Sequence, residues 1–425
     1  MKIGFVGLGK LGLPVALAVE SKGHKVFGYD IKKEIYNQIK NRKIDYKEKH
    51  ANDLLKRTNI EIVSLKELVN LSDIIFVPIQ TPHNKKYEGI NDIPKTRRDF
   101  NYNYLVKGIK MISKELQKIK KKKLIIIIST VLPGTIRRKI LPVTNKYTRI
   151  GYNPFFIAMG TTIDDFLYPE IILFGSDDKF VIEKAKNFYR TLTSSSFFET
   201  TIENAELIKV VYNTFISTKI AFINSITELC HRLPNTNIDE VTRALSLSTK
   251  RIISNSYLRG GMGDGGGCHP RDNIAMSYLA KKHNISFNIF EAIMLQRQKY
   301  NHWLADLCLK FSKNRPLLIL GKSFKPETNI LTGSPSIYLF NTLKKRKKEI
   351  FIWDPEVDGI DFEIFVKNNL LNNKKICYFI GTQHKAFLNI RFNKGSCVLD
   401  PFRYIKKRDG VKIIEIGEGA KIQKI

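Results

Sequence analysis

Residues 2–30 read KIGFVGLGKLGLPVALAVESKGHKVFGYD. Lys2–Val6 is a short apolar run with β-branched members, closed by Gly7. A helical stretch follows from about Lys10 to Ser21, and Lys25–Tyr29 is a second strand that ends at Asp30. Strand, helix and strand in so few residues is the spacing of a parallel βαβ unit. Between the first strand and the helix lies Gly7-Leu8-Gly9-Lys10-Leu11-Gly12. A G-x-G-x-x-G run is a weak signal alone. Placed after a strand, opening a helix and followed by an acidic residue at the end of the next strand, it is the dinucleotide-binding fingerprint. The glycines allow a tight turn and close approach of a pyrophosphate, which the free N–H groups of the helix N-terminus attract. Asp30 is placed to accept hydrogen bonds from ribose hydroxyls and to repel a 2′-phosphate, so NAD is preferred over NADP. Gly7, Gly9, Leu11, Gly12 and Asp30 are the expected cofactor contacts.

The pattern continues outward. Ile74–Ile79 and Leu124–Ile128 are continuous apolar runs, as strands of a parallel sheet covered on both faces should be, and Tyr104–Lys118 between them has helical periodicity. Ligands in open α/β sheets sit at the carboxyl ends of strands. That puts Thr81, and Thr130 of the Ser129–Thr135 loop, at the cofactor site, although either loop is equally an ordinary turn and helix cap. Residues 1–198 are therefore expected to form a Rossmann-type, doubly wound α/β domain that binds NAD. From Glu203 to about Phe311 the texture is mostly helical, with long candidates at Ile202–His231 and Ser286–Lys310 and a glycine-rich stretch between them, so 199–312 reads as a central helical domain. Strands at Leu317–Leu320, Ile350–Trp353, Ile376–Ile380 and Cys397–Leu399, with a helix at Ser336–Lys347, make 313–425 a smaller C-terminal α/β domain.

Composition sets limits. The 425-residue chain has 71 Lys and Arg against 40 Asp and Glu, a net charge of +31. Such a balance favours anionic partners. The basic residues are spread along the chain, however, with no arginine-rich arm or zinc-finger spacing, and neither nucleic acid nor membrane is expected as a partner. No apolar run approaches the roughly 18–20 residues a membrane span needs. Five widely spaced cysteines without a C-x-x-C pair argue for a reducing, cytoplasmic setting and against a structural metal site.

Two further stretches carry chemistry. In Ala205–Asn213, Lys209 and Asn213 are four apart and share a helix face. They are either a solvated stripe or a pair able to stabilise an oxyanion. In Gly265-Gly266-Gly267-Cys268-His269-Pro270-Arg271-Asp272, Pro270 suits a first helical turn. Cys268 would sit at a helix N-terminus near Arg271, and both lower a thiol pKa. The other reading of Cys268 is a small buried hydrophobe. Asp272, one turn on, is placed to handle a proton or orient a water.

With these residues in view, the sequence resembles the nucleotide-sugar 6-dehydrogenases, the group containing UDP-glucose 6-dehydrogenase and GDP-mannose dehydrogenase. The specific part is the combination of Ser129–Thr135, Ala205–Cys230 and Gly265–Asp272, with Gly321-Lys322-Ser323-Phe324-Lys325-Pro326 opening the C-terminal domain. The resemblance, closest in type to UDP-glucose 6-dehydrogenase, implies oxidation of the C6 alcohol of a nucleotide-linked hexose to the uronate. Two hydrides pass to NAD, through a thiohemiacetal and then a thioester on Cys268. It implies that Lys209 and Asn213 hold the sugar oxygen, that Asp272 and Thr130 position water and relay protons, and that Tyr257, Gly265 and Gly266 line the sugar pocket. Lys325 is implied to reach the sugar or its phosphates, and Ile202–His231 to pair two subunits. A two-electron dehydrogenase of the 3-hydroxyacid or 6-phosphogluconate type, and a non-catalytic nucleotide-sugar binder, are the alternatives. The chain departs from the family in places. Phe155 of Asn153-Pro154-Phe155-Phe156 stands where a Glu base of the hydrolytic step is expected, Met159 replaces a second acid, Thr332-Gly333-Ser334 replaces Arg-Glu-Ser, and Arg271 replaces a Lys. Loss of one general base costs a step on the order of 10²–10⁴-fold, so hydrolysis is expected to be the weakened half of the reaction.

Overall fold

A computed structural model describes residues 1–82, 96, 98–254, 256–257, 259–266, 269–346, 349–370 and 375–418. The chain divides into two compact units, Met1–Thr218 and Lys219–Ile425.

The first unit runs β1 (Lys2–Val6), α1 (Gly12–Ser21), β2 (Lys25–Tyr29), α2 (Lys33–Lys40), α3 (Ala51–Lys56), β3 (Glu61–Ile62), α4 (Leu65–Leu71), β4 (Ile74–Val77), α5 (Asn103–Ile119) and β5 (Lys123–Ile127). After a helical turn at Ile136–Ile140 come β6 (Thr148–Tyr152), α6 (Thr162–Leu167), β7 (Ile172–Gly175), α7 (Lys179–Tyr189), β8 (Phe197–Thr200) and the long α8 (Ile202–Arg232), which runs on into the second unit. Among the described residues the sheet order is β3-β2-β1-β4-β5-β6-β7-β8. All neighbours are parallel except β6 and β7, which meet antiparallel at Tyr152 and Gly175. The order reverses between β1 and β4, which makes the crevice at their carboxyl ends the place for a ligand. Both faces of the sheet are covered. One core contains Phe5 and Phe76, stacked 5.2 Å apart. The other packs Ile75, Val77, Ile125 and Ile127 under Leu105, Ile109 and Ile112 of α5. This double burial is why β4 and β5 are apolar without alternation. α4 shows local encoding at its start: Ser64 accepts from the Glu67 N–H while the Glu67 carboxylate accepts from the Ser64 N–H.

The second unit carries α9 (Ile238–Ser246), α10 (His269–Lys282), α11 (Ile289–Ser312), β9 (Leu317–Leu320), α12 (Pro335–Lys345), β10 (Ile350–Trp353), α13 (Phe362–Leu370), β11 (Cys377–Ile380), β12 (Cys397–Asp400) and β13 (Lys412–Glu415). Its sheet is parallel, in the order β10-β9-β11-β12-β13. Here the reversal lies between β9 and β11.

The expected mixed α/β architecture is found, with a parallel N-terminal sheet, a helical middle and a smaller C-terminal sheet. The long helix extends over Ile202–Arg232, one residue past the sequence-based boundary. The helix expected from Lys10 starts at Gly12, because Gly7–Leu11 is spent on the turn.

Candidate active site

The loops after β1, β2, β4, β5 and β6 of the first unit lie at the carboxyl ends of their strands. The Gly7 N–H donates to the Tyr29 carbonyl at 2.8 Å, and the Leu8 N–H donates to the Asp30 carboxylate at 2.7 Å. The other Asp30 oxygen accepts the Lys32 N–H at 2.9 Å. Asp30 is half-buried, and with one N–H on each oxygen it keeps lone pairs for further donors. A side chain on Gly12 would collide with the Gly7 carbonyl and crowd the Pro78 ring, so α1 can approach the turn only with glycine there. Beside Gly9 the space is open, and no side chain caps α1, whose first N–H groups face the turn. An open backbone cradle at an uncapped helix N-terminus, with a carboxylate at the next strand end, fits the pyrophosphate and ribose of NAD. Leu11 flanks the turn as the residue before α1.

The loops after β4 and β5 close on one another. The Thr81 hydroxyl donates to the Thr130 carbonyl at 2.8 Å, and the Ser129 hydroxyl donates to the Ile79 carbonyl. Lys209, on α8, reaches the next loop: its Nζ donates to the Phe155 carbonyl at 2.8 Å and lies 5.1 Å from the centre of the Phe156 ring. Lys209 is buried, and burial pushes its ammonium below the ordinary lysine value. Phe156 in turn packs on Tyr212, with ring centres 4.4 Å apart. Asn213 is exposed, one helical turn beyond Lys209.

The Phe155 ring packs on Phe166, with ring centres 5.1 Å apart, and against the apolar core that also holds Ile172 and Tyr189. What position 155 offers Lys209 is therefore a carbonyl. The nearby Asp165 carboxylate is engaged by the Ala158 N–H at 2.9 Å and the Thr161 hydroxyl at 2.8 Å. Met159 is exposed.

In the second unit Cys268 lies outside the described residues, as do Gly267 and Leu258. α10 begins at His269, with Pro270 in its first turn. Asp272 is exposed and ion-paired to Arg271 at 2.9 Å. Tyr257 is exposed, its ring edge-on to His269 at 6.3 Å. Gly265 and Gly266 pack against Phe324, the neighbour of Lys325, and against Gly333. A side chain at Gly333 would strike the Gly266 carbonyl, which accounts for glycine in the Thr332-Gly333-Ser334 departure. Lys325 is exposed, its ammonium 5.4 Å from the Phe324 ring centre.

The turn after β9 repeats the turn after β1. The Gly321 N–H donates to the Trp353 carbonyl at 2.7 Å, and the Lys322 N–H donates to the Asp354 carboxylate at 2.6 Å. Gly7 and Gly321 hold φ of +112° and +103°, a region that favours glycine. The two carboxylates differ in what they have left to give. Asp354 is fully buried and also accepts from the Ser323 N–H and hydroxyl, the His384 ring and the Glu356 N–H. Burial works against its charge, but these hydrogen bonds outweigh burial and hold its carboxyl well below the usual range. Asp354 thus locks the turn, whereas Asp30 also remains open to a ligand. Sequence reasoning did not find Asp354 or His384; the strand-terminal Asp after Ile350–Trp353 was the available signal.

Residues 1–193 match the NAD binding domain of the UDP-glucose/GDP-mannose dehydrogenase family, and residues 203–297 match its central domain. The chain belongs to this family. Among its relatives is the UDP-glucose 6-dehydrogenase of Rickettsia prowazekii, 30% identical over 89% of this chain and 85% of the relative. The GDP-mannose 6-dehydrogenase of Pseudomonas aeruginosa is 26% identical over 84% of this chain and 82% of its own length. The crystal structure of a ternary complex of GDP-mannose dehydrogenase from Pseudomonas aeruginosa shares the fold, with a TM-score of 0.86 at 22% identity, covering 97% of this chain and 99% of that one. As a family member the chain is an NAD-dependent oxidoreductase. Among the described residues no helix is long and apolar enough to cross a membrane, and no cluster of three potential ligands is placed to hold a metal.

Proposed function

We propose that the protein oxidises the C6 alcohol of a nucleotide-linked hexose to the uronate in two hydride transfers, with UDP-glucose as the substrate. The observation that carries this reading is the doubled turn. One chain holds two parallel sheets, each with a glycine turn at its order reversal whose N–H groups reach the following strand and its terminal Asp. A second parallel sheet with its own order reversal offers a second ligand crevice in addition to the one for NAD, which supports a second nucleotide-bearing reactant over a 3-hydroxyacid. NAD, when bound, accepts a hydride in each of the two oxidations, one NAD being reduced per hydride. On this reading Gly7, Gly9, Leu11, Gly12, Asp30 and Thr81 hold the cofactor, and Lys325, Tyr257, Gly265 and Gly266 serve the nucleotide sugar.

Lys209 supplies a desolvated positive charge for the alkoxide that forms as the hydride leaves, and Asn213 adds an amide donor on the same helix face. Cys268 adds to the aldehyde carbon as the thiolate, giving a thiohemiacetal. The second hydride departs from that carbon and leaves a thioester. Water attacks the thioester carbonyl, the C–S bond breaks, and the uronate and thiolate are released. Asp272 and Thr130 orient that water and relay its proton. With Phe155 offering only its carbonyl, hydrolysis is the slower half.

The exposed apolar side chains of Val211, Phe215, Ile216 and Ile220 on α8 support a homodimer formed through this helix. We place the protein in the cytoplasm, in line with five widely spaced cysteines that include no C-x-x-C pair.

Replacing Cys268 with Ser tests the covalent step. Oxidation that consumes NAD but never yields uronate is expected. Uronate formed at the wild-type rate would remove Cys268 from the mechanism.

A further inference from the structure

Glu206 is fully buried one turn before Lys209, and its two carboxylate oxygens hold two different backbone N–H groups of the loop after β5. One oxygen accepts from Gly134 at 2.5 Å and the other accepts from Ile136 at 2.8 Å. These N–H groups open the helical turn Ile136–Ile140, which has no side-chain cap of its own. A carboxylate from a distant helix therefore takes the place of a local cap, at the end of a helical segment where negative charge is favoured. The loop is held from other sides as well. The Leu132 N–H donates to the Tyr102 hydroxyl at 3.2 Å, and the Thr81 hydroxyl holds the Thr130 carbonyl.

Glu206 and Lys209 are three apart, so they stand on neighbouring positions of one face of α8. One grips the loop that carries Thr130, and the other reaches the Phe155 carbonyl at the exit of β6. We infer that Glu206 is a positioning residue, which sets the Thr130 loop in register with Lys209 through both of its carboxylate oxygens. This inference rests on the proposed reaction for its kinetic consequence but not for its geometry. Burial raises the Glu206 pKa, against the pull of the two N–H donors, so the carboxylate is kept there at a cost. Glu203, one turn earlier, makes a different contact, gripping the Arg137 guanidinium at the surface.

The test uses Glu206→Gln, which keeps the volume but turns an NH₂ toward one of the two N–H donors. In that variant kcat is expected to fall ten- to a hundredfold, with the KM for NAD within twofold of wild type. The Gly134 and Ile136 amides are expected to exchange with solvent at least tenfold faster, while the amides of β4 and β5 stay protected. Glu203→Gln should change neither readout. Unchanged kcat in a folded Glu206→Gln protein would overturn the inference, as would a fall in kcat with both amides still protected. Should Glu206→Gln fail to fold, the wild type decides: both amides as protected as the sheet uphold the clamp, and both exchanging like open loop overturn it. If the wild type oxidises no nucleotide sugar, the proposed function fails separately, and amide exchange alone judges Glu206.

Discussion

Single side chains carry the distinction between cofactor contact and scaffold. The place of Asp30 at the end of the second strand was legible, and the structure shows its carboxylate holding the Leu8 N–H. Glu206 was not legible. A Glu inside a helical run reads as surface until tertiary packing buries it against another loop's N–H groups. Replacing Asp30 with Asn removes the charge that repels a 2′-phosphate and weakens a charged hydrogen bond worth about 1.5–3 kcal/mol. The KM for NAD should rise about tenfold or more, and the ratio of NADP to NAD activity should rise with it. An unchanged coenzyme preference in steady-state kinetics would take Asp30 out of the ribose site. Lys209 has a pH signature. Burial lowers its pKa, so it gives up its proton at lower pH than an ordinary lysine. In the proposed reaction the charged form stabilises an alkoxide, so activity is expected to fall as pH rises through that lowered value. The alkaline limb of the kcat/KM profile should lie below the ordinary lysine range and vanish in Lys209→Arg, whose guanidinium keeps its proton. A limb that persists in the variant belongs to another group.

At the level of elements, the sequence located β1, β2, β4 and β5, because strands buried on both faces are unbroken apolar runs. It did not locate β3 or β6 to β8. Thr148–Tyr152 mixes polar and apolar residues, β3 has two residues, and the antiparallel pairing of β6 with β7 rests on tertiary contacts that no local pattern announces. The approach of α1 to the Gly7 carbonyl is an element-scale constraint with a direct consequence. Gly12→Ala forces α1 outward from Gly7 and Pro78. Overpacking of this kind costs about 1–3 kcal/mol, and the displaced N–H groups no longer face the pyrophosphate. A drop in melting temperature together with loss of NAD binding is expected. Wild-type NAD affinity measured by calorimetry would mean that the turn tolerates a methyl group and that the close approach does not set the cofactor site.

For the whole molecule, the boundary between the two compact units falls at Thr218 and Lys219, inside α8. The helical pattern runs through it without a break, so nothing local in the sequence marks it. The exposed face of α8 near this boundary also predicts the assembly. Charged residues at Phe215 and Ile220 together (Phe215→Glu with Ile220→Glu) should convert a dimer to a monomer in sedimentation equilibrium. A wild type that is monomeric at micromolar concentration would contradict pairing through α8. In the proposed reaction one chain carries a nucleotide sugar through two oxidations with Cys268 as the covalent link. The most direct measurement counts NADH formed per UDP-glucose consumed, with mass spectrometry of Cys268 during turnover. Two NADH per sugar, the second hydride's product released slowly, and a sugar adduct on Cys268 are the predicted result. One NADH per sugar, with free aldehyde and an unmodified Cys268, would contradict it.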